Sequence, residues 1–181
     1  FLGMEKTAIR TALLKDYPAI YNLIQTAFET APVSDGQEQE FVLHLRETPN
    51  YLPDLELVLE EGADTLIGHI LLSKQRLLLP ENKTFTGLLI APLCISLPYR
   101  SQGYGGKLLQ EGLRLGKEKG YRAAFVIGNP LYYGRFGFHP LKEFGIENQT
   151  GIPDTFVLAQ EMVEGTLHSL PKPAQLAELP K

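Results

Sequence analysis

The stretch Arg100–Lys107, with the sequence RSQGYGGK, constrains the fold more than any other part of the chain. An apolar run over Leu88–Leu97 precedes it and a helix-like run over Lys107–Lys119 follows it, which predicts a strand, a glycine turn and the start of a helix. Glycines in such a turn let backbone N–H groups converge, and the helix dipole adds partial positive charge. The pattern therefore predicts a site for an anion such as a phosphate group.

Three glycine-loop patterns compete for this stretch. A P-loop requires Ser or Thr after its lysine, but Leu108 stands there in this chain. A dinucleotide-binding loop requires a third glycine where Leu108 lies. The remaining pattern, Gln or Arg followed by x-x-G-x-G, is satisfied by Arg100, Gly103 and Gly105. This stretch resembles the pyrophosphate loop of the GNAT N-acetyltransferase superfamily, whose members bind acetyl-coenzyme A.

A second motif follows the short apolar strand predicted over Ala123–Ile127. Residues Gly128–Phe138 read GNPLYYGRFGF and resemble the segment that closes the coenzyme site in GNAT enzymes. Upstream, Leu45-Arg46 and Gly68-His69-Ile70 are similar to fragments of one bacterial subgroup of that superfamily. The resemblance extends from about Thr7 to Phe138, so it covers most of the chain.

The order of the predicted elements is β-α-α-β-β-β-α-β-α-β, an α/β mixture. It includes a strand over Thr7–Leu13, a helix opened by Asp16, a hairpin of Leu55–Glu60 with Thr65–Ser73, and a last strand over Phe156–Val163. The resemblance implies the GNAT fold. That fold is a mixed, mostly antiparallel sheet of six to seven strands, flanked by about four helices and containing a splayed parallel pair.

Bulk properties restrict the functional classes. The 181 residues predict one domain over residues 4–164, an irregular C-terminal tail over residues 165–181, and a cloning remnant over residues 1–3. The net charge of −4 argues against a nucleic-acid surface and leaves room for a cationic substrate. No apolar run reaches the length of a membrane span. The lone cysteine, Cys94, favours a cytoplasmic protein.

The resemblance also implies which residues bind the coenzyme. A strand end would hold the pantetheine arm through its backbone, the glycine loop would hold the pyrophosphate, and two residues of the second motif would complete the contacts. The implied set is Cys94, Ile95, Ser96, Arg100, Ser101, Gln102, Gly103, Tyr104, Gly105, Gly106, Lys107, Asn129 and Tyr132. For Lys107, a solvated helix position is an equal alternative. Cys94 is more typical of core filling than of contact with a thioester, and we reject it as a nucleophile.

Tyr133 aligns with the tyrosine that donates a proton to the departing thiolate in many GNAT enzymes. Tyr132 is the neighbouring candidate for this proton donor. The alternative is that the tyrosine has a structural role and packs beside Phe136 and Phe138. The general base stays open between His69, a carboxylate and water. The acidic residues at the start of the second predicted helix, Glu38 and Glu40, either shape an acceptor pocket or form a solvated face.

The expected function is transfer of an acetyl group from acetyl-coenzyme A to a primary amine of a small molecule or peptide. A coenzyme-A-binding sensor without catalysis is the alternative, and transfer to a hydroxyl or of a longer acyl group also stays open. The four histidines and one cysteine show no metal-ligand spacing. Variable loops at residues 32–39, 76–85 and 141–154 are where an acceptor would bind. A homodimer is common in similar proteins.

Overall fold

The computed structural model describes residues 6–31 and 34–180. The predicted cloning remnant, the first two residues of the predicted domain, Pro32 and Val33 of the predicted acceptor loop, and Lys181 lie outside the described residues. The described helices are α1 (Tyr17–Phe28), α2 (Glu38–Leu45), α3 (Tyr104–Glu118) and α4 (Pro130–Tyr133). The described strands are β1 (Thr7–Thr11), β2 (Glu56–Glu61), β3 (Thr65–Leu78), β4 (Thr84–Ile95), β5 (Ala123–Ile127), β6 (His139–Pro140), β7 (Ile146–Asn148), β8 (Val157–Glu161) and β9 (Ala174–Leu176).

Strand pairing is mixed and mostly antiparallel, which confirms the predicted fold class. The antiparallel pairs are β1–β2, β2–β3, β3–β9, β5–β8 and β6–β8. β4 and β5 are parallel through Leu88–Ile90 and Ala124–Val126, and β7 and β9 form a second parallel pair. β6, β7 and β9 were not predicted, because strands of two or three residues are too short to show an alternating pattern.

The chain divides into two compact units, and β3, β4 and α3 each continue from one unit into the other. The first unit contains the described residues up to Leu72 together with Pro92–Gly112. Its core forms because α1 and α2 present apolar residues every third or fourth position, as their sequence spacing predicts. The buried members are Ile20, Ile24, Ala27, Val42, Leu45, Val58, Leu71 and Cys94.

The second unit contains Ser73–Ala91 and the described residues from Leu113 onward. β5 is apolar throughout and its first four residues are buried, as predicted for a strand inside a sheet. The core of this unit includes Leu77, Phe85, Leu89, Ala123, Phe125, Leu141, Phe144, Ile146, Val157, Ala159, Leu167, Ala174 and Leu176.

The predicted irregular tail over residues 165–181 contains one regular element that the sequence did not predict. Residues Ala174–Leu176 form β9, which pairs with β7 and with Leu78 of β3. Leu167, Ala174 and Leu176 have no exposed surface. The prolines of this segment favour a loop, but a strand of three residues fits between Pro173 and Pro180 and packs in the core of the second unit.

Helix α3 begins at Tyr104, three residues before the predicted start at Lys107. Gly105 and Gly106 therefore lie in its first turn rather than in the turn before it. Glycine weakens helix interiors, but the first turn has unpaired N–H groups in any case. Gly112 of this helix allows a close contact, because a Cβ there would lie 2.7 Å from a methyl carbon of Leu72.

Candidate functional site

The predicted glycine turn joins β4 to α3. Residues Leu97–Tyr99 form one 3₁₀ turn after β4, and α3 starts five residues later at Tyr104. Two residues in this connection have left-handed backbone angles, Ser101 with φ 62° and Gly103 with φ 87°. Such residues turn successive backbone N–H groups toward one side, which is the geometry of backbone anion sites.

The first turn of α3 supplies donors for that site. The N–H of Lys107 donates to the carbonyl of Gly103 at 3.2 Å. The N–H groups of Tyr104, Gly105 and Gly106 have no helical carbonyl to bond, because the helix starts with them. A Cβ at Gly103 would meet no atom within 4 Å, so the space beside it is open. This arrangement favours a bound anion at the helix N-terminus.

Side chains around the loop support its shape. The amide of Gln102 donates to the carbonyl of Pro98 at 3.2 Å. The ring of Tyr104 packs edge-on against Tyr99, with 6.4 Å between centroids. The ammonium of Lys107 lies 5.5 Å from the centroid of the Tyr104 ring, and the lysine is exposed. Lys107 is thus accessible to a ligand, and its part in coenzyme binding stays a prediction.

The side chain of Arg100 is bonded to protein groups. Its Nε donates to the carbonyl of Ile95 at 3.1 Å and its Nη2 donates to the carbonyl of Ala27 at 2.6 Å. Its Nη1 donates to the hydroxyl of Thr30 at 3.4 Å, and its backbone N–H donates to the carbonyl of Leu97 at 3.2 Å. The sequence predicted Arg100 as a coenzyme contact, whereas these bonds attach it to backbone and hydroxyl oxygens.

The end of β4 contains the predicted pantetheine strand. The N–H of Ser96 donates to the carbonyl of Ile67 in β3 at 2.8 Å. Because the polar groups of successive strand residues point to opposite edges, the N–H of Ile95 points away from β3. Cys94 belongs to the core of the first unit, and burial raises the pKa of its thiol to about 12 against an opposing influence of Arg100. A thiol held neutral in this way is not a nucleophile.

The second motif folds into α4 within the second unit. Asn129 precedes this helical turn, and its Oδ1 accepts a hydrogen bond from the N–H of Leu131 at 2.9 Å. Asn129 is therefore an N-cap, a role that the Asn-Pro sequence at a helix start favours. The sequence predicted Asn129 as a coenzyme contact, and the structure gives its amide oxygen this local partner.

The ring of Tyr133 packs against several groups in the same segment. Its centroid lies 5.0 Å from that of Tyr132 and 5.8 Å from that of Phe138. A Cβ at Gly128 would lie 2.6 Å from Cε2 of Tyr133, so only glycine admits the ring at this place. Tyr132 in turn lies beneath the guanidinium of Arg135, 4.9 Å from its ring centroid. The aromatic packing of Tyr133, which the sequence predicted as the alternative to an acid role, is present.

The chemistry of the Tyr133 phenol suits a proton donor. Burial raises its pKa above the ordinary value of 10, and Tyr132 adds to that effect. The phenol is therefore protonated at neutral pH. In the part of the chain that the structure describes, the Tyr133 hydroxyl has no hydrogen-bond partner. Burial also raises the pKa of Tyr132, but Arg135 opposes that rise.

A buried network in the first unit joins two of the motif fragments. Glu56, the first residue of β2, has no exposed surface. Arg46 donates to both of its oxygens, from Nη2 at 2.6 Å and from Nε at 3.1 Å. The hydroxyl of Tyr51 donates to Oε1 at 2.6 Å, and Nε2 of His69 lies 2.9 Å from Oε2. Three side chains therefore share one buried carboxylate.

The protonation states of this network follow from burial and from its bonds. Burial alone would raise the pKa of Glu56, but the bonds from His69, Arg46 and Tyr51 outweigh burial and lower it to about 2. Burial lowers the pKa of His69, although Glu56 opposes that change. His69 is thus neutral at pH 7, and Nε2 carries the proton that it donates to Glu56. Its Nδ1 has no partner among the described residues.

The structure does not place His69 where it would contact an amine directly, because the side chain is completely buried. Of the predicted acidic residues, Glu40 accepts a hydrogen bond from the hydroxyl of Tyr21 and Glu38 accepts one from Ser34 at 2.8 Å. No group of metal-binding side chains occurs within residues 6–31 and 34–180. None of the helices described is long and apolar enough to cross a membrane.

Sequence reasoning missed Glu56 and Tyr51. Glu56 precedes the apolar run Leu57-Val58-Leu59 and belongs to none of the predicted motifs. One signal in the sequence points to Glu56. It is a glutamate at the first position of a buried strand, in a chain whose motif fragments supply an arginine and a histidine as partners.

Comparison with known proteins identifies the family. The Acetyltransferase (GNAT) domain matches residues 8–141, well over half of the chain. The chain belongs to the GNAT acetyltransferase family. The uncharacterized N-acetyltransferase YhbS of Escherichia coli K12 is 35% identical over 130 residues, which cover 72% of each chain. The uncharacterized N-acetyltransferase YjhQ of the same strain is 31% identical over 120 residues, covering 62% of this chain and 61% of YjhQ.

Solved structures agree with the fold of this GNAT protein. The structure of Escherichia coli YhbS in complex with CoA superposes with a TM-score of 0.82 at 24% identity, covering 98% of this chain and 93% of that one. A GNAT family acetyltransferase from Brucella melitensis in complex with acetyl-CoA gives a TM-score of 0.70 at 25% identity, with 87% and 89% covered. The predicted family and fold are therefore confirmed.

Because of the Glu56 network, we expect the free energy of unfolding of this GNAT protein to decrease at acid pH. The folded pKa of about 2 lies below the ordinary value of 4.5, so the unfolded chain binds the proton first as pH falls. The network's contribution is therefore complete above about pH 4.5 and disappears as pH falls toward 2. Glu56→Gln should cost about 3–5 kcal/mol at pH 7, because Arg46 loses its buried partner.

Urea unfolding between pH 7 and pH 3 measures this effect. The loss of stability below pH 4.5 should be smaller in Glu56→Gln than in wild type. Glu81→Gln, at a side chain that is 80% exposed, is the control and should follow the wild-type profile. Parallel pH profiles for wild type and Glu56→Gln would contradict the assignment.

Gly128→Ala tests whether the position of the Tyr133 ring depends on Gly128. The added methyl would lie 2.6 Å from the ring, so the ring must move, at a cost of about 1–3 kcal/mol. Gly134→Ala is the matched control in the same segment, since a Cβ there meets nothing within 4 Å. Near-ultraviolet circular dichroism and thermal unfolding should change for Gly128→Ala only. Equal results for the two variants would show that the ring position does not depend on Gly128.

Proposed function

We propose that this chain is an N-acetyltransferase, which transfers the acetyl group of acetyl-coenzyme A directly to a primary amine. Membership in the GNAT family supports the reaction class. The YhbS and Brucella melitensis structures, which contain CoA and acetyl-CoA, support the donor. The observation that carries the proposal is the set of unpaired N–H groups at the start of α3, beside two left-handed loop residues.

The loop suits a pyrophosphate in particular. It contains no acidic side chain between Arg100 and Lys107, and space beside Gly103 is open. Backbone donors have fixed directions, so they bind the two phosphates without an entropic cost for ordering long side chains. Ser101 to Gly106 would supply these donors, and Lys107 at the helix start would add a positive charge.

The pantetheine arm would run along the free edge of β4. Ser96 was among the predicted contacts, but its N–H already donates to Ile67. The groups left for an amide-rich ligand are those that point away from β3, namely the N–H of Ile95 and the polar groups of Leu93. We therefore assign the backbone contact to Leu93 and Ile95, and we give the Cys94 side chain a packing role only.

The transfer needs three proton movements. As the amine nitrogen bonds the carbonyl carbon and the carbon–sulfur bond breaks, the thiolate takes a proton from Tyr133. The attacking nitrogen then loses its second proton, which returns to the Tyr133 phenolate through solvent and leaves the neutral amide. The ammonium proton of the acceptor leaves before attack, to water or a carboxylate, because His69 is completely buried. A neutral phenol is a suitable acid for a thiolate, whose ordinary thiol pKa is about 8.5. The Tyr133 role rests on the sequence motif and on the packing of its own segment.

The donor assignment is tested by coenzyme binding. Gly105→Glu brings a carboxylate and a bulky side chain to the start of α3, so it should abolish the micromolar binding of coenzyme A expected for wild type. Gln110→Glu adds the same charge at an exposed position on the same helix and should bind normally. Calorimetry measures both. A wild-type protein that binds no coenzyme A contradicts the proposal, and normal binding by Gly105→Glu contradicts the loop assignment.

The acid assignment is tested by Tyr133→Phe. This variant should bind coenzyme A within about twofold of wild type, because it loses one hydroxyl, yet acetylate an amine about 10²–10⁴ times more slowly. Mass spectrometry of a panel of amines gives the rates. Tyr132→Phe is the matched control and should lose much less. Equal rates for wild type and Tyr133→Phe would remove the acid role, and binding without any acetylation would favour the sensor function.

A further inference from the structure

The last turn of α1 lacks one backbone donor. The carbonyl of Thr26 accepts from the N–H of Glu29 at 3.3 Å, and that of Phe28 accepts from Ala31 at 3.2 Å. The carbonyl of Ala27 lies between them and receives Nη2 of Arg100 at 2.6 Å instead. A cation at a helix C-terminus is also favoured by the helix dipole.

Arg100 holds the end of β4 with the same guanidinium. Its Nε donates to the carbonyl of Ile95, the last residue of β4, and its Nη1 reaches the hydroxyl of Thr30 just after α1. The planar guanidinium has a fixed fork of donors, so bonds to these acceptors fix its orientation. Arg100 is half-buried, which limits competition from water.

We propose that Arg100 is a positioning residue, which attaches the end of α1 to the loop that would hold the phosphates, and that it is not itself a phosphate ligand. The inference rests on the proposed function for the identity of the ligand, but the attachment itself does not depend on it. The sequence assigned Arg100 to the coenzyme because the motif begins with it, whereas three side-chain bonds in the structure go to α1, Thr30 and β4.

The attachment has a consequence for the acceptor side of the reaction. Thr30 starts the segment that leads to α2, and this segment includes one of the loops that the sequence predicts for acceptor binding. A ligand that orders the Arg100–Lys107 loop would also order the end of α1 through the guanidinium. By reciprocity, a molecule bound at the end of α1 would change coenzyme affinity.

Arg100→Met is the test, because methionine keeps the unbranched stem and removes every donor. Hydrogen exchange followed by mass spectrometry reports on residues 24–31, and calorimetry gives the affinity for coenzyme A. We expect exchange of the Glu29 and Ala31 amides to rise about tenfold without ligand, since the last turn of α1 loses its cap. Coenzyme A should bind within about threefold of wild type, and it should no longer slow exchange at residues 24–31.

Two variants complete the design. Arg114→Met removes an exposed arginine of α3 and should leave both readouts at wild-type values. Arg100→Lys keeps the charge with a single donor group and should give an intermediate exchange rate. If Arg100→Met does not fold, Arg100→Lys carries the comparison with wild type.

The outcomes separate the inference from the proposed function. Unchanged exchange at residues 24–31 in Arg100→Met overturns the attachment. Coenzyme affinity weakened about tenfold or more, with unchanged exchange at those residues, makes Arg100 a phosphate ligand instead. If wild type itself binds no coenzyme A, the proposed function fails, and the exchange rates without ligand still decide whether Arg100 holds the end of α1.

Discussion

The first unit depends on one buried negative charge, the carboxylate of Glu56. A carboxylate with no exposed surface is unfavourable by several kcal/mol unless charged and hydrogen-bonding partners surround it. Arg46 follows α2, Tyr51 precedes β2 and His69 lies in β3, so the partners come from separate parts of the unit. Satisfying this carboxylate therefore fixes where α2 lies on the sheet. Arg46 and His69 lie in the two fragments that resemble a GNAT subgroup, and both contact this carboxylate. The two fragments therefore share one structural role.

Much of the fold was predictable because its signals are local. The period of α1, the β2–β3 hairpin and the apolar β5 can each be read within a dozen residues of sequence. The glycine loop was found for the same reason, since its chemistry depends on backbone conformation over eight residues. β9 was missed because a three-residue strand carries no period, and only its burial in the second unit stabilises it.

The sequence predicted which residues lie at the candidate site, but it did not predict the hydrogen-bond partners of their individual atoms. The Asn-Pro pair favours an N-cap at Asn129, whose oxygen caps α4, but no local sequence signal shows that the N–H of Ser96 donates to Ile67. Arg100 is the clearest example, because its partner Ala27 is 73 residues away along the chain. Local propensities contain no information on such a contact, which exists only once β4 and α1 have packed. A motif letter therefore identifies a position but not the partner of its side chain.

The burial of Cys94 has a practical consequence for work on this protein. A thiol with a raised pKa and almost no exposed surface reacts very slowly with disulfide and maleimide reagents while the chain is folded. Thiol reagents added during turnover would then record the released coenzyme with no background from the protein. In the absence of coenzyme, the same slow reaction would report each opening of the first unit. One cysteine thus serves as an intrinsic probe of the unit that contains the glycine loop.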